Sequence, residues 1–287
     1  MKLSGRRESN NVEDRRGGSV KAGGIGLGAV ILGIIAYATT GDLGTAISTV
    51  VSNSQTTTET TGEYQGTALE DSLERFSRQI LASTEDVWKE EFSKLGKTYQ
   101  PPTLVFYKGT TQTACGTGSA TSGPFYCSGD EKIYLDLDFL ATMKQSLGAS
   151  GDFTNAYVIA HEVAHHVQNQ LGYLGAAHKR MNAARSESEA NKMSVRIELQ
   201  ADYLAGVWGN KENAKHFSLE VGDMEEALDA AKKIGDDYLQ RQAGYNQVQS
   251  DAFTHGTSAQ RTRWLKKGLQ SGNIAGGDTY SIDYNSL

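Results

Sequence analysis

The stretch that decides the fold is His161-Glu162-Val163-Ala164-His165. Because a helix turns by about 100° per residue, histidines four positions apart lie on one helix face and can bind the same zinc ion. Glu162 then lies beside the metal, where a zinc-bound water needs a general base. The alternative is a pair of core histidines hydrogen-bonded to their neighbours, which explains a lone histidine better than this combination.

The residues around this pentapeptide predict a buried helix. Apolar side chains recur at intervals of three and four, as one buried helix face requires, and Gly172 provides a C-terminal stop. These side chains belong to Phe153, Ala156, Tyr157, Ala160, Ala164, Val167 and Leu171. Both histidines are therefore expected in the interior of one helix.

A peptidase-type zinc site needs a third protein ligand and an open position for water. A second long helix is predicted over residues 186–208, and it carries Glu198 and Asp202 on one face. Their neighbours are apolar, so these carboxylates need a partner or a metal when buried. We predict Glu198 as the third ligand and Asp202 as the acceptor for the outward nitrogen of a ligating histidine. The alternative is an acidic helix edge exposed to solvent.

A third helix is predicted to begin near Thr257, which forms a capping-box pattern with Gln260. His255 lies just before this helix, and Arg261 lies within it. Amide hydrolysis passes through an oxyanion that positioned donors stabilise, so His255 is the first candidate donor and Arg261 the second. The alternative is a loop histidine that is hydrogen-bonded to the helix cap.

These motifs resemble those of a known family. The segments His161 through Gln168 and Glu198 through Asp202 are similar to motifs of the bacterial putative neutral zinc metallopeptidases, a gluzincin-like family of membrane-anchored proteins. The resemblance covers nearly the whole chain. Further matching segments are Cys115 through Cys127, Ile133 through Asp136, and Thr254 through Arg261.

The resemblance implies an α+β, predominantly helical fold, with a zincin-like metallopeptidase domain and a small sheet. It implies that His161, His165 and Glu198 hold Zn²⁺, that Glu162 is the base and that Asp202 orients a histidine. An extended substrate peptide is expected to add to an edge strand near the zinc. The resemblance brings no substrate, because the family is named largely by its motif.

Composition divides the chain into a catalytic domain and an N-terminal appendage. Residues 1–67 are too polar, Gly-rich and Thr-rich to build a core, and residues 41–67 are predicted as a Thr-rich linker. The zinc metallopeptidase domain is therefore predicted over residues 68–287, which is long enough for one core of helices and a small sheet.

The appendage contains a predicted single transmembrane helix at residues 22–40, where no side chain is charged. Residues 1–21 carry six basic and three acidic side chains, so the positive-inside rule predicts a cytoplasmic N-terminus and an extracytoplasmic, periplasmic catalytic domain in a bacterium. Gly24 and Gly28 predict helix pairing and thereby a homodimer. The alternatives are a signal peptide cleaved near Ala36-Tyr37-Ala38 and a buried cytosolic hairpin.

The two cysteines are consistent with a catalytic domain outside the cytoplasm. Cys115 and Cys127 close a loop rich in Gly and Ser, and in an oxidising compartment a disulfide there stabilises by about 3 kcal/mol. Two free thiols in a cytosolic loop are the alternative. The net charge of the whole chain is −6, and the acidic outer part would repel phosphates, so no nucleic-acid partner is expected.

Together these patterns predict a membrane-anchored, zinc-dependent peptidase that hydrolyses peptide bonds in a peptide or protein substrate. Glu162 acts as general base on a zinc-activated water. The alternative function is a zinc-fold binding or assembly protein of the cell envelope that turns over little substrate.

Overall fold

The computed structural model describes residues 1–17 and 66–287, and these residues form an α+β, mostly helical fold. The helices are α1 (Ala68–Lys94), α2 (Leu137–Leu147), α3 (Asp152–Gln170), α4 (Tyr173–Asn182), α5 (Glu187–His216), α6 (Asp223–Lys233), α7 (Asp236–Gln242) and α8 (Ser258–Ser271). The strands are β1 (Val12–Asp14), β2 (Thr103–Tyr107), β3 (Thr110–Thr113), β4 (Gly116–Ser119), β5 (Phe125–Cys127) and β6 (Lys132–Asp136).

The main sheet has four strands in the order β1-β2-β6-β5. The first three run parallel, with Val12 opposite Leu104 and Phe106 opposite Leu135, whereas β5 is antiparallel to β6. Strands β3 and β4 form a separate antiparallel hairpin. Within the described residues β5 is therefore an edge strand, and it lies in the loop that the two cysteines close.

Helix α3 begins against a carboxylate that another helix supplies. Its first residues have no side-chain cap of their own, but the backbone N–H of Phe153 donates to Glu226 of α6. The preceding residue, Gly151, has a φ of 108°, and a Cβ added there would lie 1.9 Å from the Glu226 carboxylate. A glycine is required at this position, because it lets α6 cap the helix that carries both histidines.

Helices α5 and α8 pack with their backbones in close approach. A Cβ added at Gly268 would lie 2.0 Å from the Tyr203 carbonyl oxygen, and one added at Gly206 would lie 2.4 Å from the Leu265 carbonyl oxygen. Any larger residue at either position would push the helices apart. This approach brings the start of α8 beside the acidic face of α5.

The N-terminal segment, residues 1–17, is part of the same domain. Leu3 is buried in the main core, and β1 extends the sheet beside β2. Arg6 donates to the buried Glu212 of α5 at 2.5 Å, and Ser9 donates to Glu85 of α1 at 2.5 Å. Three arginines of this segment, Arg6, Arg7 and Arg16, therefore pair with carboxylates of α1 and α5.

The prediction of a single-pass membrane protein is wrong. Among residues 1–17 and 66–287, no helix combines the length and the apolar character that a membrane crossing requires. The predicted span at residues 22–40 lies outside the described residues, as do the glycines on which the predicted homodimer depends. One crossing would put residues 1–17 and 66–287 on opposite faces of a bilayer, whereas β1 and β2 share one sheet, so the predicted topology is overturned.

Removing the Arg6 side chain is expected to destabilise the domain. The Glu212 side chain is only 1% exposed, so Arg6→Ala leaves a buried carboxylate whose other donor among the described residues is the Ser83 hydroxyl. Losing one partner of such a pair costs about 3 kcal/mol. Urea unfolding should show this loss. Arg75→Ala changes a side chain that is 72% exposed, so it should alter the free energy of unfolding by no more than about 0.5 kcal/mol. Equal effects of the two changes would contradict the anchoring role of Arg6.

Candidate metal centre

The structure brings the three predicted zinc ligands together. His161 and His165 come from successive turns of α3, and Glu198 comes from α5, which packs against α3. Their potential ligand atoms lie within 4.8 Å of one another. Glu198 Oε2 is 3.1 Å from His161 Nε2, and Glu198 Oε1 is 3.5 Å from His165 Nε2. The two Nε2 atoms and one carboxylate therefore converge on one point.

The outward nitrogen of each histidine has an acceptor. His161 Nδ1 lies 2.9 Å from Asp202 Oδ1, and His165 Nδ1 lies 2.9 Å from Gln168 Oε1. The His161 N–H is not aligned for a linear hydrogen bond, so its contact with Asp202 is mainly electrostatic. Both acceptors favour a proton on Nδ1, which leaves the Nε2 lone pair for a metal.

Gln168 was not predicted as a site residue. Its side-chain N–H groups donate to the Ile197 carbonyl at 2.8 Å and to Gln200 Oε1 at 3.0 Å, so its own oxygen must face His165. The side chain is fully buried. The sequence held a signal, since Gln168 follows His165 by three residues and therefore lies on the same helix face.

Replacing Gln168 with methionine is expected to weaken zinc binding about 10- to 100-fold, because His165 loses the acceptor that fixes its ring. Methionine keeps the length of the side chain but accepts only weakly. The dissociation constant for zinc, measured by competition with a chelator, checks this result. The matched control is Gln242→Ala at an exposed helix end, which should leave zinc affinity unchanged. Unchanged affinity in Gln168→Met would contradict the orienting role.

Asp202 lies at the centre of a buried polar cluster behind the ligands. It is fully buried, and it accepts from Arg261 Nε at 2.9 Å, from Arg261 Nη2 at 3.0 Å and from the Tyr157 hydroxyl at 2.6 Å. Burial alone would raise the pKa of Asp202, but the positive charges of Arg261 and His161 lower it to about 2. Asp202 is thus ionised at neutral pH and stabilises positive charge on the His161 side of the site.

Arg261 lines the site cavity, but two of its N–H groups are engaged by Asp202. Its guanidinium is 3% exposed and also donates to the Tyr157 hydroxyl at 3.3 Å. The structure therefore gives Arg261 a role in holding Asp202. Its predicted contact with an oxyanion stays a prediction.

His255 lies in the loop before α8 and lines the same cavity as the three ligands. Its Nδ1 is 3.2 Å from Asp236 Oδ1, and its backbone N–H donates to Asp236 Oδ2 at 2.7 Å. Burial lowers the pKa of His255, but its hydrogen bond to Asp236, together with the negative charges of Asp236 and Glu198, raises this pKa overall. Asp236 was not predicted, because no local pattern distinguishes it from other acidic residues at a helix start.

Glu162 is 8% exposed and lines the cavity together with both histidines. Burial raises the pKa of Glu162, whereas the two histidines and a hydrogen bond from the backbone N–H of Tyr126 lower it by less. A carboxylate with a raised pKa is suited to accept a proton and then release it near neutral pH.

Strand β5 is fastened to α3 by the side chain of Tyr126. The Tyr126 hydroxyl lies 3.0 Å from His166 Nδ1 and accepts from Asn169 at 3.1 Å, while His166 Nε2 donates to the Gln100 carbonyl at 2.7 Å. His166 therefore follows a predicted ligand without pointing at the metal site. Its hydrogen bond with Tyr126 places the edge strand directly against Glu162.

The predicted disulfide between Cys115 and Cys127 is present. Cys127 closes β5, and Cys115 precedes β4 and lines the cavity. The bridge therefore ties the hairpin strand β4 to the edge strand β5, both of which border the metal centre.

The sequence comparison agrees with this geometry. A family described as putative neutral zinc metallopeptidase matches residues 1–280. The chain belongs to this family. The resemblance inferred from the motifs is thereby confirmed, and Zn²⁺ is the metal that the family implies.

Two relatives of the chain are bacterial proteins. The "Uncharacterized protein YpfJ" of Escherichia coli (strain K12) is 45% identical over 288 residues, which cover 98% of this chain and 99% of that protein. The "Uncharacterized protein Rv2575" of Mycobacterium tuberculosis (strain H37Rv) is 38% identical over 209 residues, which cover 69% of this chain and 68% of that protein. No solved structure matches the chain.

The residues of this member of the family fit zinc. Two imidazole nitrogens and one carboxylate oxygen form a donor set that leaves a fourth tetrahedral position open, as in catalytic zinc sites. Burial alone would lower the pKa of His161, but Asp202 and Glu198 raise it to about 10. The two carboxylates therefore create a strong demand for a positive charge between them, which a divalent cation meets.

Proposed function

We propose that this chain is a zinc-dependent peptidase in which Glu162 acts as the general base. One observation carries the proposal: the convergence of His161, His165 and Glu198 in a cavity that also holds the buried carboxylate of Glu162. A structural zinc site is closed by four protein ligands, whereas this site offers three among residues 1–17 and 66–287 and borders a cavity.

The reaction needs a nucleophile, a proton carrier and a donor for the oxyanion. Zinc, when bound, supplies Lewis acidity that brings the pKa of water toward about 7. Glu162 takes a proton from the attacking water on its carboxylate and passes it to the leaving nitrogen of the peptide. His255 donates a hydrogen bond to the developing oxyanion, and Asp236 holds the His255 ring in place.

The proposed substrate is a peptide in an extended conformation. Strand β5 is an edge of the described sheet, and residues 123–126 line the cavity beside the metal centre. A peptide that adds to this edge is held through its backbone, with little demand on its side chains. Because Tyr126 already donates its N–H to Glu162, the edge and the base lie side by side.

The function is tested on the full-length chain with its zinc content measured first. The protein is incubated with a defined peptide library and with a bacterial protein extract, and new termini are identified by mass spectrometry. Cleavage that a chelator stops and added zinc restores supports the proposal. A protein that holds one zinc per chain and produces no new termini would overturn it, and would favour a zinc-fold binding or assembly protein.

A further inference from the structure

We propose that the site selects peptides with a large, uncharged, apolar side chain next to the scissile bond, an inference that rests on the proposed peptidase function. The argument concerns the cavity beside the metal centre, whose volume is about 340 Å³. A cavity of about 150 Å³ is large enough to bind benzene. The space beside the ligands therefore holds a side chain of the size of leucine or phenylalanine together with part of the peptide backbone.

One wall of this cavity, the apolar wall, is built from side chains of three helices and one helix end. They are Phe139 and Met143 of α2, Val158 of α3, Leu239 of α7 and Ile234 after α6. Met143, Val158 and Leu239 are 2%, 8% and 5% exposed, so packing fixes their positions. A preformed apolar surface of this kind gains free energy when it covers an apolar ligand group.

The apolar wall begins one helical turn from the proposed base. Val158 precedes His161 by three residues and Glu162 by four on α3, so the three side chains lie on neighbouring positions of one face. A substrate side chain that rests on Val158 is therefore attached next to the bond that faces Glu162. The wall is close enough to select the residue beside the cleaved bond rather than a distant one.

Charged groups on the cavity surface are already engaged. Among the cavity-lining residues that the structure describes, the Asp, Glu, Lys and Arg residues are Glu162, Glu198 and Arg261. The first is the proposed base, the second a proposed ligand, and the third is paired with Asp202. A charged substrate side chain would lose its water there without gaining a partner, which is costly.

The disulfide loop lines another part of the cavity and places few demands on substrate side chains, because Gly116, Gly118 and Gly123 lie there. The Phe139 ring packs against this loop, since a Cβ added at Gly123 would lie 3.2 Å from it. Substrate side chains are therefore recognised mainly by the apolar wall, and Phe139 forms the edge of that wall.

The test is the cleavage profile of the zinc-loaded, full-length protein on a peptide library, followed by kcat/KM for matched peptides. Leucine, phenylalanine or methionine should be enriched at one position adjoining the cleaved bond. At that position leucine should exceed alanine about 10- to 100-fold in kcat/KM, and lysine or aspartate should be cleaved less than alanine. A profile in which small or charged residues prevail at both adjoining positions would overturn the inference.

Two pocket variants and one control link the preference to the wall. Phe139→Ala should lower the leucine-to-alanine ratio about tenfold, and Leu239→Ala should lower it in the same direction if Phe139→Ala fails to fold. Phe217→Ala removes an aromatic ring that is 78% exposed and should leave the ratio unchanged. A ratio that neither pocket variant alters contradicts the assignment. Absence of any cleavage by the zinc-loaded native protein would instead overturn the peptidase function itself.

Discussion

Glu162→Gln is expected to retain zinc and to lose about 10³-fold in kcat, since positioned general bases contribute about 10² to 10⁴ in rate. Glutamine has the same shape and can still accept from the Tyr126 backbone N–H, so the local structure should persist. It cannot take up a proton from water. Zinc content should not change, because the group of converging ligand atoms does not include Glu162.

Zinc per chain and kcat on one defined peptide are the two measurements for this variant. Glu187→Gln is the matched control, because Glu187 is exposed in the first turn of α5 and should alter neither quantity. Loss of zinc together with activity would assign Glu162 to metal binding. Full activity with bound zinc would place the base elsewhere.

Arg261→Met is expected to lower the free energy of unfolding by about 3 kcal/mol, since it removes the cation that holds the fully buried Asp202 through two hydrogen bonds and leaves His161 as its charged neighbour. The Tyr157 hydroxyl, at 2.6 Å, cannot compensate for a full charge. Denaturant unfolding of the zinc-free protein measures this effect without a contribution from metal binding.

The double variant Asp202→Asn/Arg261→Met separates pairing from metal orientation. Removing both charges should recover most of the lost stability, because neither group then remains unpaired. Zinc affinity should still fall about 10- to 100-fold, since the carboxylate behind His161 is gone. If Arg261→Met reduces kcat but leaves the free energy of unfolding within about 0.5 kcal/mol of the native value, the main role of Arg261 is to stabilise the oxyanion and not to pair with Asp202.

The core of the site could be predicted because helix geometry links spacing to direction. His161 and His165 occupy one face of α3, and Glu198 and Asp202 occupy one face of α5, as their four-residue separations indicate. The convergence of these two faces depends on tertiary packing, and the family resemblance supplied that step. Asp236 could not be found this way, because its contact with His255 spans a loop between two helices.

The N-terminal segment was misinterpreted because local charge does not reveal a distant partner. A basic stretch before an uncharged run satisfies the positive-inside rule, but the partners of Arg6 and Arg7 lie far along the chain. Arg6 is separated from Glu212 by 206 residues, and Arg7 from Glu85 by 78. Pairing over such distances leaves no periodic signal in the sequence.

The docking of β1 has a consequence for the order of folding. Its strand partner β2 follows by about ninety residues, and the carboxylate that receives Arg6 lies in α5. During synthesis β1 must therefore wait until β2 has left the ribosome, and Arg6 must wait longer, until α5 has emerged. Contacts of such long sequence separation form late and slowly. A nascent chain arrested before β2 should thus leave these first residues open to proteases that the finished protein resists.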